Sequence, residues 1–516
     1  MLFPTMTFAV FFVIVLGVSW RLRPRPLAWK MFILAASYVF YGWWDWRFLL
    51  LLVGSQVGNT IMGHSIARAA GDDARRWRVR VGVGLNLALL GVFKYFGFFV
   101  DSLVEVLRPL HLAPTVLVIQ ITLPIGISFF TFCAISYLID LGRREIEPAN
   151  LLDFSVYLSF FPHLIAGPIV RASELIPQLN VIANPNAVDA TRGARLIARG
   201  LVKKMIVANY LAQSIVDPVF GAPGAYHSID LIVGAWAFAV QIYADFSGYT
   251  DIAIGTALLL GIRFPENFDA PYSAISIRDF WHRWHMTLSR WLRDYLYIPL
   301  GGSRAGVKKM YRNLFLTMLL GGLWHGASWT FIVWGAYHGV GLVIERMAMT
   351  RRLASHEEKL ARSPRLERLR SELGLESSVG QIPVVTGSEG LRVDGDTDTM
   401  PVRPGERNPW FARMWVFQFV TFGWIFFRSD SISSAFTYIW RSLVAWGEPE
   451  LVTPLILLTV VTALACQFIP RRVGLSLEYR ASLLPPIVQG IGFAILLLVI
   501  DIFGPQGVAP FIYFQF

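Results

Sequence analysis

The chain has 516 residues, of which 55% are hydrophobic, 14% aromatic and only 16% charged, whereas a soluble domain carries roughly 25% charged residues. Together with a mean hydropathy of +0.51, this excludes an ordinary soluble globular protein and points to a polytopic membrane protein. The net charge of +11 would suggest nucleic acid in a soluble chain; here it reads as basic cytoplasmic loops, and no nucleic-acid partner is expected.

Seven apolar runs, at 6–20, 29–44, 48–63, 81–100, 116–138, 451–468 and 486–502, are each about long enough to cross ~30 Å of hydrocarbon as a helix. None alternates as a barrel strand would, and backbone groups in lipid must pair within their own segment. The fold class expected is therefore all-α and polytopic, with about ten to twelve helices crossing or entering the membrane and amphipathic helices at its surface. The first run lacks a basic flank and a small-residue cleavage site, so it reads as a retained span. Arg21, Arg23, Arg25 and Lys30, then Arg68, Arg75, Arg76, Arg78 and Arg80, then Arg143 and Arg144, alternate with loops near Asp45 and at 101–114 that are poor in positive charge. The positive-inside rule then puts the N-terminus outside and the basic loops in the cytoplasm. Arg471, Arg472 and Arg480 mark a later cytoplasmic loop, and 429–450 an outer one. Cys133 and Cys466 both lie in apolar runs and suggest neither a metal site nor a disulfide.

Four stretches place polar groups in apolar surroundings. "FFPHLIAGPIVR", 160–171, holds His163 between two prolines and reads either as a structural kink or as a broken helix beside a site. In "QIYADFSGYTDIAIG", 241–255, Asp245 and Asp251 interrupt an apolar helix. Buried carboxylates in a membrane need partners or water, so these either pair with the arginines of the amphipathic stretch 276–302 or belong to an ion path. "SIRDFWHRWHMTLSRWLRDYLYIPLGG", 276–302, repeats Trp281, Trp284, Leu288, Trp291, Leu292 and Tyr295 at helical spacing, with Arg278, His282, Arg290, Arg293 and Asp294 largely off that stripe. It reads as one amphipathic interfacial helix, with His285 closer to the apolar side than His282. Two histidines three apart with no third ligand make no metal site, and none is expected.

The fourth stretch is "LLGGLWHGASWTF", 319–331, with His325 in a hydrophobic run. Basic residues precede it (Arg304, Lys308, Lys309, Arg312) and follow it (Arg346, Arg351, Arg352), so the chain must enter the membrane and return. Residues 313–323 span roughly 16 Å as helix, about half a bilayer, which puts His325 at the tip of a re-entrant hairpin among Gly321, Gly322 and Gly326. An ionisable group at that depth is either a hydrogen-bonded structural imidazole or a functional one.

The segment 351–408 is hydrophilic and divides the membrane core into 1–350 and 409–516. Its first half reads as a short charged helix and its second as a flexible, Gly-, Asp- and Pro-rich cytoplasmic insert, serving either docking or nothing beyond a tolerated insertion. No phosphate-binding loop, dinucleotide fingerprint, HExxH pair or GxSxG elbow is found.

Taken in order, "SYVFYGWW", "FKYFGFF", "LPIGISFFTF", "FPHLIAGPIVR", "YADFSGYTDIAIG", "IRFPENFDAPY", "DFWHRWHMTLSRWLRDYLYIPLGG", "NLFLTMLLGGLWHGASWTFIVWGAYHG", "GWIFFR" and "FIYFQF" resemble the membrane-bound O-acyltransferase superfamily, and within it the bacterial branch that includes the alginate O-acetylation membrane protein. The resemblance implies a helical membrane bundle in the bacterial inner membrane. It implies His325 as the catalytic histidine and His285 as the second signature polar position, with Trp324, Asp245, Asp251 and Asp279 supporting them. It further implies an acyl donor, acetyl-CoA, on the cytoplasmic side and hydroxyls of an exported polysaccharide as acceptor, reached directly or through an extracytoplasmic acetyltransferase or export machinery. His282 stands where relatives often carry arginine, and 351–408 is an insertion. Arg278, Arg290 and Arg293 are expected to bind the donor's phosphates, because arginine forks match phosphate geometry. A proton-coupled transporter, an assembly scaffold, and D-alanyl transfer to teichoic acid are the alternative readings.

Overall fold

The computed structural model describes residues 1–110, 122–185, 188–304, 306–361 and 409–503, and every regular element among them is helical. Helices α1 (Met6–Leu22), α2 (Pro26–Gly42) and α3 (Arg47–Ala67) cover the first three apolar runs. The fourth falls on α4 (Asp72–Leu90), which passes through a π-helical turn, Gly91–Tyr95, into α5 (Phe96–Leu107). The fifth is α6 (Ile127–Arg143), with 116–121 outside the described residues. Then come α7 (Leu151–Ser159), α8 (Ala172–Leu179), α9 (Ala190–Leu201) with a π-helical continuation Val202–Ala208, and α10 (Ser228–Leu259). Short helices α11 (Ile277–Arg283) and α12 (Met286–Leu292) precede the pair α13 (Val307–His325) and α14 (Trp329–Ala361). The chain closes with α15 (Pro409–Arg428), α16 (Ile432–Val444), α17 (Pro454–Ala465), α18 (Arg471–Ser482) and α19 (Pro486–Phe503).

Among the described residues three helices are long and apolar enough to cross a membrane unaided: the continuous 72–107 segment, α10 and α15. The others are shorter, bent or laced with polar residues. The 72–107 segment exposes Leu85, Leu87, Val92, Phe99 and Leu103, an apolar surface suited to lipid. Helix α10 is the opposite case, buried along most of its 32 residues, and it forms the axis of the bundle.

Small residues let the backbones around that axis touch. A Cβ on Gly200 would lie 2.4 Å from the Gly248 carbonyl oxygen, and one on Gly255 would lie 2.6 Å from that of Gly193. The spacing repeats every two turns on both α9 and α10, the small-residue packing by which membrane helices approach closely.

Several sequence expectations need correction. Lys30 is no loop charge: it lies in α2, buried, donating to Asp153 and to Asn180 at 2.7 Å. Asp101 continues α5 rather than opening a loop. Residues 432–444 of the expected outer loop form α16, and 471–480 form part of α18. The described part of the expected charged helix, 351–361, is helical and continuous with α14, which runs unbroken to Ala361. Residues 362–408 and the terminal "FIYFQF" lie outside the described residues.

Candidate active site

Helices α13 and α14 form an antiparallel hairpin with His325 as the last residue of the first arm. Glycines bring the arms together. A Cβ at Gly322 would stand 2.4 Å from the Phe331 carbonyl oxygen and 2.9 Å from the Gly335 Cα, and one at Gly335 would stand 2.6 Å from the Met318 carbonyl oxygen. At the tip, a Cβ on Gly326 would fall 2.1 Å from the Phe331 ring. His325 therefore lies at the turn of a hairpin of two closely packed arms. Its first arm is longer than the half-bilayer estimate, 19 residues, or roughly 28 Å at 1.5 Å per residue.

The His325 ring is buried in an aromatic cage. Ring centroids lie 5.0 Å away for Trp324, 5.1 Å for Trp334 and 5.4 Å for Phe427, all edge-on. Edge-to-face packing at 4.5–7 Å is the favoured aromatic geometry, and it fixes the imidazole plane. Trp334 in turn packs 5.0 Å from His338, a fully buried histidine one turn further along α14.

His285 reaches the same place from the other side. The expected single amphipathic helix is broken: α11 ends at Arg283, α12 starts at Met286, and His285 between them has φ of 43°, ψ of 54°. The left-handed region is uncommon for a non-glycine residue, and the neighbouring "ENFDA" segment holds the chain there. The Met286 N–H donates to the Asn267 carbonyl at 2.9 Å, and the Thr287 N–H and hydroxyl donate to the Asn267 side-chain oxygen at 3.2 and 2.8 Å. The turn directs the His285 ring inward, 4.7 Å from Phe246 and 6.1 Å from Trp324, fully buried, with both nitrogens lacking a hydrogen-bond partner among the described residues. Trp324 thus stands between the two histidines, which the structure brings together. His282 is on the exposed side, so the two histidines of "WHRWH" point into different environments. The tryptophans of the stripe are not interfacial anchors: Trp284 and Trp291 are buried in protein, and Trp291 stacks on Phe132 at 3.8 Å.

The two aspartates of α10 take partners other than those expected. Asp251 accepts from Arg199 at 2.8 and 2.5 Å and from Lys203 at 2.8 Å, and Asp245 pairs with Lys204. They pin the basic α9 continuation to α10, away from the arginines of α11 and α12, while Phe246 of the same stretch packs on His285. Ser276 caps α11, its hydroxyl oxygen accepting from the Asp279 N–H at 3.0 Å, and the Asp279 carboxylate accepts from Arg283 at 2.7 Å. His163 is a structural kink residue, its Nε2 2.9 Å from the Tyr157 carbonyl oxygen.

The three arginines expected at the donor separate. Arg278 is exposed at the start of α11, where its backbone N–H donates to Glu345 at 3.0 Å. Arg290 pairs with Glu174 at 3.3 Å and Arg293 with Asp294 at 2.7 Å. Arg171 also binds Asp294, and Arg143 donates to the Asp294 carbonyl at 2.8 Å. Three guanidiniums thus share two carboxylates while Arg143 meets a backbone oxygen, and with Asp140 within electrostatic reach of Arg143 and Arg171 the guanidiniums outnumber the carboxylates four to three. Burial alone would raise the Asp294 carboxyl, but hydrogen bonds from Arg293 and Arg171 outweigh it and hold it below the usual carboxylate range.

Two contributors have no expectation in the sequence reading. Lys94 and Tyr95, from "FKYFGFF", reach the hairpin tip and bind its carbonyl oxygens. A lysine in an otherwise apolar run was the available signal, since a cation there needs a reason.

Residues 114–362, which hold both histidines, match the model of the membrane-bound O-acyltransferase family. Among individual relatives, a probable alginate O-acetylase of Pseudomonas aeruginosa is 49% identical over 321 residues, 61% of each chain. A peptidoglycan O-acetyltransferase of Helicobacter pylori is 38% identical over 349 residues, 62% of this chain and 65% of the relative. A teichoic acid D-alanyltransferase of Bacillus subtilis is 30% identical over 236 residues, 42% of this chain and 57% of the relative. The matched regions span less than two thirds of the length of these relatives.

Proposed function

We propose that the protein is a membrane-embedded O-acyltransferase of the bacterial inner membrane that moves an acetyl group from a cytoplasmic thioester, acetyl-CoA, to hydroxyls of an exported polysaccharide. The observation that carries this reading is a histidine held in an aromatic cage at the end of a glycine-packed hairpin, with a second buried histidine one indole away. Its kinship with O-acetyl transferring proteins of bacterial polymers supports the choice of reaction.

The chemistry needs little else. A hydroxyl is a poor nucleophile until a base takes its proton, and an imidazole does so at neutral pH, contributing ~10²–10⁴-fold. His325 accepts the hydroxyl proton as the oxygen attacks the thioester carbonyl; the C–O bond forms, the C–S bond breaks, and the proton passes to the departing thiolate. The products are an O-acetyl ester and a free thiol. His285 lies across Trp324 to orient the acceptor or the carbonyl. The dry aromatic cage keeps water from the thioester. The surplus positive charge of Arg143, Arg171, Arg290 and Arg293 suits the donor's phosphates, and Arg278, standing apart, is assigned no part in it. An extracytoplasmic acetyltransferase or export assembly is the partner this reading calls for. The paired state of Asp245 and Asp251 removes the carboxylates on which a transport reading would rest.

The test is the ester content of the surface polysaccharide in a deletion strain, with and without the gene restored, scored in parallel for acetyl and D-alanyl groups. Restored acetyl esters are expected. Restored D-alanyl esters would replace the donor with an aminoacyl thioester, and no change in either would overturn the acyl-transfer reading.

A further inference from the structure

The C-terminal end of α13 leaves carbonyl oxygens without helical partners, and it is at this end that His325 sits. Three of them are met from one place. The Lys94 ammonium donates to the carbonyl oxygens of Trp324 and, at 3.1 Å, of His325, and also to the Ser128 hydroxyl at 3.3 Å. The Tyr95 hydroxyl donates to the Leu323 carbonyl at 2.9 Å. The same ammonium lies 5.8 Å from the Trp324 ring centroid, within cation–π range. Both side chains come from the π-helical turn Gly91–Tyr95. Such turns insert one residue into a helix and cluster at functional sites; this one carries Lys94 and Tyr95 to the tip from a segment that also exposes Val92, Phe99 and Leu103.

We infer that Lys94, assisted by Tyr95, is a positioning residue for His325: a cationic clamp on the last carbonyls of α13 that fixes both the backbone of His325 and the indole separating it from His285. The inference rests on the reading of His325 as the base. The physical case is that a cation half-buried in an apolar membrane segment is costly unless paired, and the pairing here is not with a carboxylate but with the negative end of a helix. An ion pair would have served stability equally well anywhere along the segment; these contacts fall on the three consecutive residues that carry the site. Misplacement of a reacting group by about 1 Å costs on the order of 100-fold in rate, so releasing the clamp has a large effect without removing any group that touches substrate.

The experiment compares wild type, Lys94→Met, Lys94→Arg, Tyr95→Phe and His325→Ala in the deletion strain, at matched membrane levels, reading polysaccharide acetyl esters and, on the detergent-solubilised proteins, thermal unfolding. The expected result is that Lys94→Met loses about ten- to a hundredfold of the transfer with unfolding close to wild type, that Lys94→Arg recovers most of it, and that Tyr95→Phe falls between. A merely structural lysine would not show rescue by arginine at unchanged stability. Wild-type ester levels in Lys94→Met would overturn the inference; if that variant does not reach the membrane, wild-type levels in Tyr95→Phe would do so. Full activity in His325→Ala would instead overturn the base assignment, which separates the two failures.

Discussion

His285 is held at φ of 43° by a turn that Asn267 braces through three hydrogen bonds, and the strain has a use: a regular helix through this point would turn the ring away from Trp324. Two residue-scale outcomes follow. His285→Gln should cut acetyl transfer by about 100-fold, whereas His282→Gln, on the exposed side, should leave it unchanged; the comparison is made on polysaccharide esters at matched protein levels. The sequence made the two histidines visible but not the break between them. The Trp and Leu spacing of 281–295 is continuous at helical period, and nothing in it announces a left-handed residue; the cause lies in "ENFDA", almost twenty residues upstream. His325 was legible for the opposite reason, since basic residues on both sides and glycines at the turn are local signals.

Among the elements, the hairpin of α13 and α14 and the contact of α9 with α10 depend on absent side chains. Gly335→Val places a methyl-bearing carbon 2.6 Å from the Met318 carbonyl oxygen, and overpacking of this kind costs about 1–3 kcal/mol. Lower thermal unfolding in detergent and reduced membrane accumulation are expected, with the loss of activity tracking the loss of protein. Lys204 and Asp245 form a buried pair, with side chains 3% and 4% exposed. Removing one partner of such a pair costs about 3–5 kcal/mol, and replacing both by apolar groups costs far less. Lys204→Met should therefore unfold markedly earlier than Lys204→Met combined with Asp245→Leu; equal unfolding of the two would contradict a structural role for the pair. These partners were not legible because α9 is basic and amphipathic, and its approach to α10 is set by the glycine spacing of both helices rather than by the charges themselves.

For the whole molecule, the account requires a base at a point reachable by a cytoplasmic donor and an outer acceptor. The positive-inside reading places α4's basic start in the cytoplasm and the α2–α3 turn outside. In a background with Cys133 and Cys466 replaced, Ala74→Cys should react with a membrane-impermeant maleimide only after the inner membrane is opened, and Trp44→Cys without opening it; both positions are exposed. The reverse pattern would put the arginine cluster on the wrong side for a cytoplasmic thioester. The all-helical class and the apolar runs were legible from composition alone, but the bundle's irregularity was not. Helices such as α11 and α12 pack by aromatic contact and take their lengths from tertiary structure, not from a hydropathy window.

The most direct test is the acetyl-ester content of the surface polysaccharide in a deletion strain carrying either wild type or His325→Ala at equal membrane levels. Esters restored by the wild type and absent with the variant are the predicted result. Equal restoration by both would show that the histidine at the hairpin tip is a structural ring and that the transfer depends on another group.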